Sequence, residues 1–227
     1  MSNKPGFMTI AIDGGAASGK STTARALAAR YHWLHVDTGS HYRVVTRALL
    51  NAGITPDNPE AVAPWLTRLT PDTQVEGNQA RLILDREAFS DDSLRTEEVN
   101  AAVSRFAALD TVRAFLLHYQ RHQRQVAREH GFDGLVMEGR DIGSVIFPDA
   151  DLRVFLEADA ATRARRRADE GQVDSVSTRD ALDTSRKNAP LTCPEGALKL
   201  DTARHTVEEI VALLDQHVTA WQDRHTQ

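Results

Sequence analysis

Residues 8–30 read MTIAIDGGAASGKSTTARALAAR, and the prediction of the fold starts from them. The run from Met8 to Ile12 is apolar and contains β-branched side chains, which predicts a buried strand. The alanine-rich stretch from Lys20 to Arg30 predicts a helix. Between them, Gly14 to Ser21 fits the pattern G-x-x-x-x-G-K-[ST]. Strand, glycine-rich turn and helix therefore follow one another in the order that a phosphate-binding loop (P-loop) requires.

The glycine-rich turn has the chemistry of a phosphate cradle. Small residues let successive backbone N–H groups turn toward a phosphate, and the following helix adds the partial positive charge of its N-terminus. The ammonium group of Lys20 would bridge β- and γ-phosphate oxygens, and the hydroxyl of Ser21 would serve Mg²⁺. We therefore predict ATP and Mg²⁺ as ligands. The predicted nucleotide-binding residues are Gly14, Gly15, Ala16, Ala17, Ser18, Gly19, Lys20, Ser21 and Thr22.

Composition and charge narrow the class of protein. The chain has 227 residues, of which 41% are hydrophobic and 26% charged, as in an ordinary globular domain. Its formal net charge of -5 argues against a general nucleic-acid binder or a binder of anionic membranes. The single cysteine, Cys193, rules out an intramolecular disulfide framework and favours a reducing compartment. We expect a monomer in the cytosol.

Beyond the first helix, short strands and helices continue to alternate. Four further apolar runs predict strands, at residues 33–36, 135–137, 152–156 and 198–200. Three stretches predict helices, at residues 41–51, 97–129 with a break near Leu109, and 207–221. This pattern predicts an α/β fold of the P-loop NTPase type, with an open, mainly parallel sheet and helices on both faces.

Two stretches interrupt this alternation. Residues 73–89 alternate apolar and polar side chains and contain the turn signals Gly77-Asn78 and Asp85-Arg86, which predicts a small antiparallel insert. Residues 163–177 begin as an arginine-dense helix and continue as a polar loop, which predicts a mobile flap. We expect a single domain over residues 1–227, with an insert at 60–110 and a lid at 160–177.

Arginines lie in segments that are far apart in the sequence. Phosphoryl transfer to an anionic acceptor requires cationic side chains from several directions. An isolated arginine more often belongs to a solvated helix face. Arg140 is the exception, because it follows the apolar run 135–137, at the carboxyl end of a predicted strand, where ligands of open α/β sheets bind. The other candidates are Arg43, Arg113, Arg163, Arg165, Arg166, Arg167 and Arg186.

Several segments together resemble one known family, the bacterial cytidylate kinases. Besides the P-loop, the segments that carry the resemblance are DTGSHYR at 37–43, NAAVSRFAALDTVR at 100–113, EGRDIGSVIFPDA at 138–150 and DTSRKNAPL at 183–191. The resemblance extends over nearly the whole chain. It implies a five-stranded parallel sheet with a CMP-binding insert and an arginine-bearing lid. It also implies an ATP-dependent kinase of pyrimidine nucleotide metabolism that acts on CMP and dCMP.

The resemblance also implies roles for individual residues. The family positions that bind the CMP phosphate correspond to Arg43, Arg140 and Arg186. The family positions that recognise cytosine correspond to Ser104, Arg113 and Asp141. Asp183 matches the sugar contact, and Thr38 and Tyr42 lie along the acceptor pocket. Lid residues Arg163 and Arg167 are expected at ATP, although spacing does not separate them from Arg165 and Arg166. The implied catalytic set is Lys20, Arg140, Arg163 and Arg186. No general base is required, because the acceptor phosphate is already ionised.

Cytosine suits the three side chains assigned to it. Its N4 amine needs an acceptor such as Asp141, and its N3 and O2 atoms need donors such as Arg113 and Ser104. Uracil reverses the polarity of two of these edges, so such a site would discriminate against UMP.

The metal assignment is less direct. Ser21 and Glu138 are the implied positions near Mg²⁺, but the family usually has aspartate where this chain has Glu138. The chain also departs from the family pattern in the interior of the P-loop, and its segment 163–186 is shorter than usual.

Other interpretations of these motifs remain open. The chain could be another P-loop kinase acting on UMP, shikimate or dephospho-coenzyme A, although Ser104, Arg113 and Asp141 argue against it. It could also be a regulatory ATP-binding module, which would not need dispersed arginines. Thr38 could equally be a helix cap. The histidines lack metal-ligand spacing, so no zinc site is expected and His118, His122 and His130 are predicted to be solvated. Trp65 and Trp221 are predicted core residues.

Overall fold

A seven-stranded sheet forms the centre of the computed structural model, which describes residues 6–169 and 188–225. Its strands are β1 (Met8–Gly14), β2 (Leu34–Asp37), β3 (Pro71–Glu76), β4 (Gln79–Leu84), β5 (Gly134–Gly139), β6 (Leu152–Glu157) and β7 (Leu198–Asp201). They are arranged in the order β3-β4-β2-β5-β1-β6-β7. All neighbouring pairs are parallel except the hairpin of β3 and β4. The predicted α/β fold is confirmed.

The interior strand β1 is buried along its whole length. Ile10 pairs in parallel with Val136 on one side and with Leu152 on the other. Its side chains alternate between the two faces, so that Ile10 and Ile12 join one core while Ala11 joins the other. A strand covered on both faces needs apolar residues at successive positions, which is why the run from Met8 to Ile12 predicted it.

Helices cover both faces of the sheet. They are α1 (Lys20–Tyr31), α2 (Thr38–Asn51), α3 (Val62–Leu66), α4 (Asp91–Leu94), α5 (Glu97–Ala107), α6 (Asp110–Glu129), α7 (Ala160–Asp169) and α8 (Val207–His225). A 3₁₀ turn spans Pro59–Ala61 and a π-helical turn spans Ile142–Ile146. The predicted break near Leu109 separates α5 from α6. The sequence did not predict α3, α4 or the two turns.

The predicted antiparallel insert is a hairpin, but it belongs to the central sheet. Strand β4 pairs in parallel with β2 through His35 with Gln79 and Val36 with Ala80. The sheet therefore has seven strands, where the resemblance implied five. Strand β4 covers the edge of β2, whose N–H and C=O groups would otherwise lack partners, and β3 in turn covers β4. Five parallel strands, β2-β5-β1-β6-β7, remain as the core.

Turns and buried residues follow the sequence signals. Asp85 and Arg86 both have positive φ angles, 51° and 69°, and Leu84 and Glu87 exchange two backbone hydrogen bonds across them. Trp221 is buried as predicted, and Trp65 packs at the edge of a core.

The remaining predictions concern exposed residues and the lid. His118, His122 and His130 are exposed, as predicted. The predicted lid lies only partly within the structure, because residues 170–177 are outside the described ranges. Within those ranges, no helix is long and apolar enough to cross a membrane.

Candidate active site

The turn between β1 and α1 is shaped by close contacts with its surroundings. A Cβ atom on Gly14 would lie 2.2 Å from the carbonyl oxygen of Leu156, so only glycine fits there. Gly19 has a left-handed backbone, with φ of 86°. Among the described residues no side chain caps α1, and its first turn contains no acidic residue. The first N–H groups of the helix therefore have no side-chain competitor for an anion.

Lys20 lies folded across this turn. Its Nζ atom donates to the carbonyl oxygen of Gly15 at 2.7 Å, and the residue is 7% exposed. Burial, together with the positive charge of Arg140, lowers the pKa of Lys20 to about 7, while Glu138 and Asp37 oppose this shift. A phosphate beside Lys20 would stabilise the charged ammonium that burial disfavours.

The carboxylate of Glu138 connects the P-loop to the end of β5. Its Oε2 atom accepts from Ser21 Oγ at 2.7 Å, and its Oε1 atom lies 3.0 Å from Nε2 of His35. The Oγ1 atom of Thr38 donates to the backbone oxygen of Glu138 at 2.7 Å. The cap of α2 is Asp37, which accepts from the N–H groups of Gly39 and Ser40. The cap interpretation of Thr38 is therefore wrong.

The donor set of Ser21 and Glu138 fits a hard cation. A hydroxyl and a carboxylate oxygen meet at the carboxyl end of β5, beside the phosphate loop. Mg²⁺ prefers oxygen ligands and is usually held by one or two protein groups together with substrate phosphates. Within the described ranges, no cluster of three or more His, Cys, Asp or Glu side chains could hold a metal alone. A cation at this position would therefore depend on the nucleotide for further ligands.

Two adjacent cavities meet at the carboxyl ends of β2 and β5. The larger has a volume of about 680 Å³, and its lining includes the P-loop, Glu138 and Arg167. The smaller has a volume of about 80 Å³, and its lining includes Thr38, Tyr42 and Ser104. Arg43 and Arg140 line both cavities. Two cations therefore lie at the boundary between the phosphate loop and the smaller pocket.

An ion pair borders the smaller cavity. The carboxylate of Asp141, which lines that cavity, pairs with the guanidinium group of Arg113. Their side chains are only 5% and 11% exposed. The same guanidinium lies 5.7 Å from the ring centre of Tyr42. The pocket thus presents the hydroxyl of Ser104 from α5 and the carboxylate of Asp141 from the turn after β5. The guanidinium of Arg113 on α6 lies against that carboxylate.

The family model and the curated relatives that match this chain carry the same family name. The family model described as "Cytidylate kinase" matches residues 10–220. The chain belongs to the cytidylate kinase family. Curated proteins named cytidylate kinase are similar to it. The one from Limosilactobacillus reuteri (strain DSM 20016) is 37% identical over 95% of this chain and 97% of its own length. The one from Chloroherpeton thalassium is 39% identical over 92% of each chain, and that from Rhodopseudomonas palustris (strain BisB18) is 41% identical over 88% and 91%.

The arginines of α7 in this cytidylate kinase family member occupy distinct positions. Arg163 donates to the carbonyl oxygen of Ala16 at 3.3 Å. Arg166 donates to Thr202 Oγ1 at 3.0 Å and to the Thr202 carbonyl oxygen at 2.7 Å, and Thr202 Oγ1 donates to the Ser18 carbonyl oxygen at 3.1 Å. Arg166 thus supports the back of the P-loop, a position that the spacing of the arginines did not predict. Arg167 lines the larger cavity, and Arg165 is exposed.

Asp13 is a site residue that the sequence analysis did not identify. Its two carboxylate oxygens accept from the backbone N–H groups of Ile142 and Gly143, each at 2.7 Å. Burial raises the pKa of Asp13 to about 6, and the two N–H donors oppose that rise. The bonds fix the turn that carries Arg140 and Asp141. The only signal in the sequence was a carboxylate directly after the apolar run that ends at Ile12.

Three further predicted site residues are Arg43, Asp183 and Arg186. Arg43 projects from α2, and its Nη1 atom donates to the carbonyl oxygen of Leu94 at 2.8 Å and to Asn100 Oδ1 at 2.7 Å. It therefore connects α2, beside the two cavities, to α4 and to the first turn of α5. Asp183 and Arg186 lie outside the described residues.

Proposed function

We propose that this protein transfers the γ-phosphoryl group of ATP to CMP or dCMP, giving ADP and CDP or dCDP. One observation carries the proposal: Arg43 and Arg140 line both the P-loop cavity and the small pocket beside Asp141. A nucleoside monophosphate in the small pocket would present its phosphate to these two arginines. Its phosphate would then face the γ-phosphate of a nucleotide in the P-loop.

The P-loop supports the donor half of the reaction. Backbone N–H groups of residues 14–22 would hold the β-phosphate of ATP, and Lys20 would move from Gly15 to bridge the β- and γ-phosphates. An oxygen of the acceptor phosphate forms the new bond to the γ-phosphorus, and the bond to the β–γ bridging oxygen breaks. Catalysis rests on positioning and charge neutralisation, and no side chain needs to remove a proton.

The small pocket supports the acceptor half. Asp141 would accept from the N4 amine of cytosine, while Arg113 and Ser104 would donate to N3 and O2. The guanidinium of Arg113 and the carboxylate of Asp141 lie side by side as a buried ion pair. Thr38 and Tyr42 line the pocket that Asp141 also lines. UMP would leave at least one buried group unpaired, which disfavours it. Asp183 at the sugar and Arg186 at the phosphates complete the proposal.

Mg²⁺ belongs to the proposal because Ser21 and Glu138 fit it. Ser21 would bind it directly, and Glu138 would orient its water ligands. When bound, the ion neutralises charge on the β- and γ-phosphates. The protein groups Lys20, Arg140, Arg163 and Arg186 would supply the remaining positive charge.

We also propose how the chain is organised. The insert at residues 60–110 would close over the acceptor and the lid at 160–177 over ATP, so that water is excluded before transfer. Arg163 and Arg167 would then reach the ATP phosphates. We expect a cytosolic monomer that binds neither nucleic acid nor membranes, in keeping with its net charge of -5.

A panel of acceptors tests the proposed function. ADP release is followed with ATP and Mg²⁺ in the presence of CMP, dCMP, UMP, AMP or shikimate. We expect kcat/KM for CMP and dCMP to exceed that for UMP by about 100-fold or more, as expected for a site built to hydrogen-bond one base. Two results would contradict the proposal. One is turnover with shikimate or AMP but with neither CMP nor dCMP, and the other is ADP release that requires no acceptor.

A further inference from the structure

One buried hydrogen-bonded chain joins the sheet to the P-loop. It consists of His35 on β2, Glu138 on β5 and Ser21 on α1. Nε2 of His35 lies 3.0 Å from Oε1 of Glu138, and Ser21 Oγ donates to Oε2 at 2.7 Å. The side chains of His35 and Glu138 are 6% and 2% exposed. Each oxygen of this carboxylate therefore has its own partner.

The sheet register brings the histidine to the carboxylate. Strands β2 and β5 are parallel neighbours in which His35 is paired with Val136. Glu138 lies two residues beyond Val136, on the same face of the sheet, because side chains alternate with a period of two. His35 and Glu138 are therefore diagonal neighbours on that face, at the strand ends where the nucleotide site lies.

The ionised form of a carboxylate only accepts hydrogen bonds. The tautomer of His35 that pairs with this form carries its proton on Nε2 and donates it to Oε1 of Glu138. Without that donor, Oε1 would be a buried acceptor lacking a partner, which is costly. Glutamate also has several side-chain torsions, and a second anchor restricts them. His35 thus determines which way the carboxylate faces.

We propose that His35 is a positioning residue, which fixes the Glu138 carboxylate against Ser21 and so sets the affinity of the nucleotide site for its divalent cation. This inference rests on the proposed function, since it concerns the same site. His35 contacts the carboxylate and acts through it. Partners that orient a metal site from outside its ligands commonly change metal affinity by about 10- to 100-fold when they are removed.

A purely structural role is the alternative, and the choice of variants separates the two. In His35→Gln the amide nitrogen can occupy the position of Nε2 and still donate to Glu138, whereas in His35→Asn it is too short to do so. Both replacements keep a polar side chain at this buried position. His41→Asn is the matched control, because His41 is another fully buried histidine, on α2, whose ring packs against Tyr119.

The test measures ADP binding by calorimetry on the full chain, once with excess Mg²⁺ and once with EDTA. The ratio of the two dissociation constants measures how much Mg²⁺ contributes to ADP binding, and it does not depend on catalysis. We expect His35→Asn to weaken binding in Mg²⁺ by about 10-fold or more while binding in EDTA changes less than about two-fold. His35→Gln should restore most of the ratio, and His41→Asn should leave it unchanged.

Two results would overturn the inference. One is equal weakening with Mg²⁺ and with EDTA, which is what a general loss of structure would produce. The other is a wild-type ratio in His35→Asn. The outcome is distinguishable from failure of the proposed function: a wild-type protein that binds ADP with Mg²⁺ but phosphorylates no CMP contradicts that function, while the binding ratios still decide the role of His35.

Discussion

Arg113 on α6 and Asp141 in the turn after β5 form an ion pair that is almost wholly removed from solvent. Two elements that are distant in the sequence are thereby joined at the wall of the small pocket. Burying an ion pair gains little stability in general, and breaking one is expensive. A pair in this place is best explained by what it offers a ligand, namely an acceptor and a donor held side by side.

The first prediction concerns base recognition. In the proposed complex the Asp141 carboxylate accepts from the N4 amine, and Asp141→Asn replaces it by an amide that must still face Arg113. We expect kcat/KM for CMP to fall by about 100-fold or more, because buried groups lose their partners, while KM for ATP changes less than about three-fold. Steady-state kinetics with each substrate varied in turn measures both.

A second aspartate provides the control for this prediction. Asp149 also pairs with an arginine, Arg124, but its side chain is 67% exposed and lines neither cavity. Asp149→Asn should behave like the wild type. Equal losses for CMP and ATP in Asp141→Asn would remove Asp141 from base recognition.

The second prediction concerns the acceptor phosphate. Arg140 lines both cavities, so Arg140→Met should weaken the binding of CMP by about 100-fold, since hydrogen bonds to charged groups contribute about 1.5 to 3 kcal/mol each. Cytidine has no phosphate, and its affinity should stay unchanged. Calorimetry with both ligands makes the comparison. A parallel loss for cytidine would show that Arg140 shapes the pocket as a whole.

Local sequence patterns allowed most strands and helices of this fold to be predicted. The pairing of strands that lie far apart in the sequence did not follow from those patterns. The P-loop could be predicted because its strand, turn and helix are contiguous. That β4 pairs with β2 could not be predicted, because the periodicity of the hairpin does not specify which edge it joins.

The same distinction applies to the site. The roles of Ser104, Arg113 and Asp141 were implied by the resemblance of local segments to one family. The contact between His35 and Glu138 instead joins residues that are 103 positions apart in the chain. No sequence pattern predicts a contact between two residues that lie so far apart in the chain. Arg166 was one of four arginines that share a helix start, and only its contacts with Thr202 separate it from the others.

The third prediction concerns these lid arginines. Arg166→Met removes the hydrogen bonds to Thr202, which itself supports the Ser18 carbonyl, so the P-loop should lose rigidity. We expect the dissociation constant for ATP to rise by about three- to ten-fold, equivalent to about 1 kcal/mol. Arg165→Met is the control because Arg165 is exposed. Equal effects of the two substitutions would mean that only the net charge of the lid matters.

The fourth prediction concerns stability at acid pH. His41 is fully buried, and its ring nitrogens have no hydrogen-bond partner among the described residues. Burial lowers the pKa of His41 to about 4, with the negative charge of Asp37 opposing the shift. Between pH 6.5 and 4 the unfolded chain therefore binds a proton that the folded protein does not. The stability present above pH 6.5 is lost as the pH falls through this range, by up to about 3 kcal/mol.

Urea unfolding at several pH values tests this prediction. His41→Phe keeps an aromatic ring against Tyr119 and removes the titrating group. Its free energy of unfolding should therefore fall less steeply than that of the wild type between pH 6.5 and 4.5. His118→Gln, at an exposed position, should retain the wild-type slope. If His41→Phe and the wild type lose stability in parallel, the buried imidazole is not the cause.

Phosphoryl transfer to CMP can be followed through the fate of the γ-phosphoryl group itself. The protein is mixed with γ-³²P-labelled ATP, Mg²⁺ and CMP, and the products of a single turnover are separated. If the γ-phosphoryl group is transferred to CMP, the label appears at the β-position of CDP and little appears as inorganic phosphate. Omitting CMP should then leave the label in ATP. Label released as inorganic phosphate at the same rate with and without CMP would contradict it.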